Sequence, residues 1–531
     1  MQQVQVKVNE RGALLNGRFA FTNKYTLVTE LLQNARRAGA TEVCVDFDHE
    51  AATLTVTDNG CGIEDFQKLL TLNESGWDAQ LIADECAFGV GFSKALYSAT
   101  RCTVTSRGKR LDFDTRAALE QAPLFVVDDP GSDPKLTVVR LEGVELCDLA
   151  MRIDRLVCGF PLPVCLNGRL IERRFAEDAL AFTETVIGRM HLHGYRNGAP
   201  TTGTLLFLQG FPIDAPTSWY DEAVDVVHLE PRSFVARLPD RTVLIDAEEQ
   251  LKRVSTAIGE LWRSVLARRK AELPAADFVE RFYQTAQRTR HVDLFDDVPL
   301  LPKQVCKEIV GYPIQEGYEP RGYLRGLAHH VERAAIERGE VRLADLDSTD
   351  EDNFAYWMYA KARGCVHVHA HSIGEGHWAQ AFIRALDVEP VEVEIIGETH
   401  RAAFEGRFVY TTVVLCDRYA ISVGGDRVEI TDESLYYQDQ VIVPAGDFTS
   451  DVIRQASSFI DGNDHFCEDD LAADSAALAR LIGHLRAIDP TAMFKSLLSE
   501  LALESYPLLA GRCFRITVGD SRGAHAVDLM A

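Results

Sequence analysis

No stretch of this 531-residue sequence approaches the ~20 uninterrupted apolar residues that a membrane-spanning helix needs, so a helical membrane protein is not expected. A signal peptide is not expected either. The chain opens Met-Gln-Gln-Val-Gln-Val-Lys-Val, alternating like a strand instead of running charged then apolar. Positive charge is in short supply: 55 lysines and arginines stand against 80 acidic residues, a formal charge of −25. A field of that sign repels a phosphate backbone, so nucleic acid is not favoured as a partner, although net charge constrains the average and not each face. The 12 cysteines are scattered from Cys44 to Cys513 without a C-x-x-C pair, and with no export signal they read as reduced thiols of a cytoplasmic protein. HExxH and G-x-S-x-G are absent too, which removes the common zinc-protease and serine-hydrolase readings. Internal repeats, low-complexity tracts and heptad runs are also missing.

What is present is ordinary globular material, 46% hydrophobic and 25% charged, enough for three to four domains at roughly 150 residues each. Alternating helix and strand signals divide the chain into 1–148, an α+β stretch 149–245, a helical connector 246–295 interrupted by Pro274, and an α+β region 296–531 of unknown role. Within the first stretch, residues 24–38 have helical periodicity. Val43, Val45 and Phe47 alternate with polar neighbours, and residues 53–57 alternate again, which predicts a hairpin. A helix near 64–72, a polar stretch 73–87, a helix from about Phe92 and strands at 102–106 and 136–141 follow. Residues 127–134 have the composition of an exposed turn. Further on, 164–171 is expected to be a tight hairpin of the second stretch, and 204–208 and 411–415 to be strands.

Three short blocks carry chemistry. Glu30 and Asn34 are four apart, so both emerge on one face of the first helix. A carboxamide oxygen can ligate Mg²⁺ while a neighbouring carboxylate orients and deprotonates a water. The second block, Asp58-Asn59-Gly60-Cys61-Gly62, follows a strand; its glycines permit close approach of a ligand, and Asp58 can accept a hydrogen bond from an exocyclic amine. The third, Gly89-Val90-Gly91-Phe92-Ser93-Lys94, leads into a helix whose first N–H groups suit phosphate oxygens, with Ser93 and Lys94 as further donors. Alone, the first two blocks have bland readings, a solvated helix face and a capped turn, and the third is a lone G-x-G before a helix that matches neither the Rossmann nor the Walker fingerprint.

In order and spacing, however, E-x-x-x-N, then D-x-G-x-G after a hairpin, then F-G-V-G-F resembles the GHKL ATPase superfamily of gyrase B, the ninety-kilodalton heat-shock chaperone, histidine kinases and MutL. The resemblance covers about 140 residues, and its layout is nearest the chaperone and MutL type. It implies an α+β protein with an N-terminal Bergerat-type α/β sandwich, a mixed sheet backed by helices, followed by further α+β domains. It implies ATP and Mg²⁺ as ligands, with Glu30 as the catalytic base, Asn34 as the metal ligand and Asp58 as the acceptor of the adenine amine. Gly60 and Gly62 would shape the adenine wall. Gly89, Val90, Gly91, Phe92, Ser93 and Lys94 would form the phosphate loop, and Thr137 would lie near the adenine. Residues 73–87 would be a lid, and 149–245 a transducer-like domain lending a basic residue to the γ-phosphate, with Arg169, Arg173, Arg174 and Arg196 as candidates.

The chain departs from that pattern in having Cys86 where the chaperone type has a further glycine, and Leu136 in place of the glycine before Thr137. A sensor histidine kinase is not expected, since no phosphoacceptor-histidine helix is read ahead of the first block. The expected activity is ATP hydrolysis coupled to rearrangement of the downstream domains. The alternative is a nucleotide-sensing module with negligible hydrolysis that controls assembly. A protein partner or client and an ATP-dependent homodimer are expected, but no membrane. Separately, His367, His369 and His371 alternate as they would on one strand face, a spacing at which imidazoles can share a metal.

Overall fold

A short helix, α1 (Glu10–Asn16), is capped by the Asn9 side chain and precedes the main helix α2 (Thr26–Arg37). In α2 the residues Leu27, Val28, Leu31, Leu32 and Ala35 are buried, at the three-and-four spacing of an apolar face. Arg36 and Arg37 occupy its last turn, where positive charge complements the helix dipole. The chain then leaves the helix through Gly39, whose φ of +70° is open only to residues that tolerate the left-handed region. This computed structural model describes all residues except 1–3, 8, 21–22, 72–76, 86–90, 214–222, 238–239, 312–314, 317–318, 321–322, 347–352, 458–466, 488, 500, 502, 520–524 and 531. It has two compact units: Met1–Pro274 with Arg281–His291, and Ala275–Glu280 with Val292–Ala531.

The first unit is built on an eight-stranded mixed sheet. Its strands are β1 (Val43–Asp48), β2 (Thr53–Asp58), β3 (Arg101–Ser106), β4 (Lys109–Asp114), β5 (Val126–Asp128), β6 (Thr137–Glu142), β7 (Val164–Leu166) and β8 (Arg169–Leu170), in the order β5-β4-β3-β6-β2-β1-β7-β8. One apolar core joins Leu27, Leu31 and Leu32 of α2 to Val43, Val45, Val56, Val104 and Val139 of the sheet, so the sheet is backed by helices as expected. Helices α3 (Phe66–Leu70), α4 (Ala79–Glu85) and α5 (Ser93–Ser98) lie between β2 and β3 in sequence. Register decides which residues meet at one end of this sheet. Asp58, the last residue of β2, pairs with Thr137, the first of β6, and Thr137 pairs in turn with Ser106, the last of β3.

Two expectations are corrected here. The hairpin near 164–171 joins the N-terminal sheet, because Val164 and Leu166 present apolar side chains when β7 runs parallel to β1. Asn167 in its turn accepts a hydrogen bond from Phe47 N–H at 2.7 Å, and Asn167-Gly168 takes the two positive φ angles of a tight hairpin. The supposed turn 127–134 begins as an edge strand. Val126, Val127 and Asp128 are all exposed, so their composition resembles a loop although β5 pairs with β4.

The rest of the first unit holds a five-stranded sheet whose central pair, Gly203–Leu208 and Val224–Leu229, is parallel. It also contains helix Ala247–Glu272, which ends just before Pro274. In the second unit a five-stranded sheet includes Cys365–Val368, and a long antiparallel ribbon pairs Val391–Glu405 with Tyr410–Val423. Its core gathers Trp357, Tyr359, Tyr419 and Leu435 among others. Among the described residues no helix is long and apolar enough to cross a membrane.

Candidate functional site

A cavity of about 370 Å³ opens beside α2 and the sheet end where Asp58 and Thr137 meet. Of the residues singled out from sequence, Glu30, Asn34, Asp58, Gly62, Gly91, Phe92 and Thr137 line it. Three sequence-distant blocks thus converge on one space. Gly60 sits behind the wall, packed so closely that a Cβ there would lie 2.6 Å from the Ala38 Cβ. Ser93 and Lys94 are buried in α5 and are not among the lining residues. Gly89 and Val90 lie outside the described residues, as do Cys86 and much of the 73–87 stretch; of the latter, α4 is helical.

At the sheet end, Asp58 Oδ1 accepts the Gly60 N–H at 2.9 Å, and burial pushes the carboxyl's pKa above its ordinary value. Thr137 is buried, with its hydroxyl 3.0 Å from that of Ser106, and Ser106 Oγ also accepts the Ile63 N–H at 2.9 Å. Gly62 turns the loop at a φ of +81°, where a side chain would meet Ser106 and Arg107. The result is a firm wall with a desolvated carboxyl group, suited to recognise a flat ligand that brings a hydrogen-bond donor.

The opposite end is charged. Glu30 is only 5% exposed, and a Cβ at Gly91 would collide with its carboxylate, so the glycine before α5 is what lets this acid sit there. Arg241 Nε lies 3.2 Å from Glu30 Oε1. Arg241 follows Asp240, which accepts from the Thr26 hydroxyl at 2.8 Å and from Asn23 N–H at 3.3 Å, tying this downstream loop to the start of α2. Burial lowers the Lys94 pKa, with Asp240 opposing. Arg36 and Arg37 both reach Glu85 at the end of α4, the latter at 2.9 Å. Burial pushes Glu85 upward, but the two arginines outweigh it and hold the carboxyl below its usual range. Gln209 completes the fastening: its Nε2 donates to the Glu85 carbonyl at 3.0 Å, and Gln33 donates to its Oε1.

The four downstream arginines weighed from sequence have other partners, as surface arginines would. Arg169, Arg173, Arg174 and Arg196 do not line the cavity. Arg169 pairs with Asp154, Arg173 with Asp178, Arg174 covers Phe175 and Arg196 covers Tyr195. Arg241 and Arg37 are there instead. Arg37 was legible, since it lies three residues after Asn34 and seven after Glu30 on one helical stripe. Arg241 offered only a Pro-Asp-Arg turn, which says nothing about where that turn docks.

The histidine expectation changes as well. The strand ends at Val368, so only His367 stays in the pleat, packed on Trp357 at 5.1 Å. His369 stacks on His371 at 5.2 Å and lies 3.5 Å from Asp345. Among the described residues no group of three or more His, Cys, Asp or Glu is arranged to hold a metal ion. Residues 23–119, which contain α2, β1 to β4 and most of the cavity lining, match the family described as histidine kinase-, DNA gyrase B-, and HSP90-like ATPase, so the N-terminal part of this chain resembles the GHKL superfamily.

Proposed function

We propose that the cavity binds Mg-ATP, that the protein hydrolyses it, and that nucleotide binding is coupled to rearrangement of the downstream chain in a chaperone-like or MutL-like manner. One observation carries the reading: a buried carboxylate, Glu30, and a desolvated acceptor, Asp58, brought from separate blocks of sequence, line one cavity. Asp58 accepts the adenine amino group against the wall made by Thr137 and Gly62. Asn34, on the same stripe as Glu30, offers an amide oxygen, a ligand suited to a hard cation that shares its shell with phosphate oxygens. Mg²⁺, when bound, neutralises charge on those oxygens. Glu30 orients a water and takes its proton as the oxygen attacks the γ-phosphorus in line, while the bond to the bridging oxygen breaks and ADP leaves. Arg241 supplies the basic residue at the terminal phosphate.

The ion pair between Arg241 and Glu30 favours a second reading. A base held by a guanidinium is restrained, which suits a nucleotide sensor that turns over negligibly. Phosphate release and ATP titration on the parent and on Glu30→Ala separate the two: a parent that binds ATP tightly without turnover supports the sensor. A protein client and ATP-dependent pairing of N-terminal regions belong to this proposal, and sedimentation with a non-hydrolysable analogue tests the pairing. The described cysteines are all free thiols, which supports a cytoplasmic setting.

A further inference from the structure

We propose that Arg37 is a direct ligand of the nucleotide's phosphate chain, an assignment that rests on the Mg-ATP reading of the cavity. Its side chain is only 3% exposed, yet the residue lines the cavity on the stripe of α2 that also carries Glu30 and Asn34. Its Nε is engaged by Glu85 at 2.9 Å, whereas its Nη2 is buried without a hydrogen-bond partner among the described residues. Native proteins rarely leave a buried charged donor in that state, because the desolvation penalty is met and nothing is returned.

The neighbours of Arg37 point the same way. Glu85 is already shared between Arg36 and Arg37, and Glu30 is taken by Arg241, so both nearby carboxylates are engaged elsewhere. Glu30 and Arg241 both lie close enough to act on the Arg37 charge, which groups Arg37 with them. Of the parts of a nucleotide, only the phosphates carry the negative charge that would satisfy a buried guanidinium donor. A planar guanidinium fork is also the side chain that matches phosphate oxygens in geometry.

The test is calorimetric titration of the full chain with ATP, ADP and adenosine, on the parent and on Arg37→Gln and Arg37→Lys. Arg37→Gln should weaken ATP and ADP by roughly 10- to 100-fold, the usual worth of a charge-assisted hydrogen bond, and leave adenosine within about twofold. Arg37→Lys should recover part of the loss. If adenosine weakens in step with ATP, Arg37 is only a prop for Glu85 and the assignment is overturned. Unchanged ATP affinity overturns it equally. A parent that binds neither ATP, ADP nor adenosine marks a failure of the Mg-ATP reading itself, whereas failure of the Arg37 assignment leaves the parent's own nucleotide binding intact.

Discussion

The two ends of the cavity are made by different means. The sheet end follows from register alone: Asp58, Thr137 and Ser106 are brought together because β2, β6 and β3 finish in line. Its parts are held by a core of Val56, Val104 and Val139 that would have to rearrange before the wall could move. The other end is an assembly of charges from α2, α4, the glycine before α5 and the Asp240-Arg241 loop. Ion pairs of this kind can exchange partners at modest cost, so one end is suited to recognition and the other to change on ligand binding. That contrast can be broken by experiment.

The largest effect should come from the charged end. Glu30→Ala should lower the turnover of ATP by about 10²- to 10⁴-fold, the range of general-base catalysis, with affinity within about tenfold. Phosphate release and a binding titration on the same preparation check both numbers. Parental turnover in the variant would remove Glu30 from the mechanism. Arg241→Gln should come next. It removes a cation from the terminal phosphate and should cost on the order of 10²-fold in turnover, as loss of one preorganised donor does. In the sensor reading the same variant frees Glu30 and raises turnover, so the sign of the change decides between the two readings.

This division between the ends also governs how much was legible in the sequence. Strand alternation at Val43, Val45 and Phe47 and the glycine spacing after Asp58 are local patterns, and each matches an element of the structure. The stripe of Glu30 and Asn34 on α2 is local too, and their convergence with Asp58 and Gly91 followed from the resemblance of the blocks. Arg241 was not legible, because its place depends on Asp240 accepting from Thr26, a contact made across most of the first unit. The hairpin at β7 and β8 was assigned to the wrong stretch for the same reason: nothing in Val-Cys-Leu-Asn-Gly-Arg says which sheet edge it will join. His367, His369 and His371 show the opposite error. Their alternation was read as a strand face, but the strand ends at Val368 and the pattern outruns the element.

A smaller effect is expected at the sheet end. Asp58→Ala should weaken ATP by roughly 10- to 100-fold, since the adenine amine loses its acceptor and is left desolvated. The parent should prefer ATP to GTP, whose base presents a carbonyl oxygen in place of the amine. Calorimetry with both nucleotides measures the preference, and equal affinities would take Asp58 out of base recognition. Turnover at saturating ATP should change little in Asp58→Ala, which is the reverse of the pattern expected for Glu30→Ala.

The smallest effect is one of stability against pH, and the two ends should give it opposite signs. Asp58 has a folded pKa raised above 3.8 by burial, only partly offset by the Gly60 N–H. Below 3.8 it is protonated in both folded and unfolded chains and contributes no penalty; as pH rises through the raised native value the unfolded chain ionises first and stability is lost. Asp58→Asn lacks that loss, so its unfolding free energy relative to the parent should climb across the carboxylate range and then level off. Glu85 runs the other way. Although burial pushes it up, Arg36 and Arg37 hold its folded pKa below 4.5, so its contribution is present above that value and lost as pH falls. Glu85→Gln should therefore be less stable than the parent near neutrality, and the deficit should shrink on acidification. Urea unfolding of the parent and both variants at a series of pH values, from neutral down to the acid limb, reads the two differences side by side. Carboxylates common to all three proteins cancel, so parallel slopes for the two variants would mean that the two ends do not differ in the electrostatic sense described.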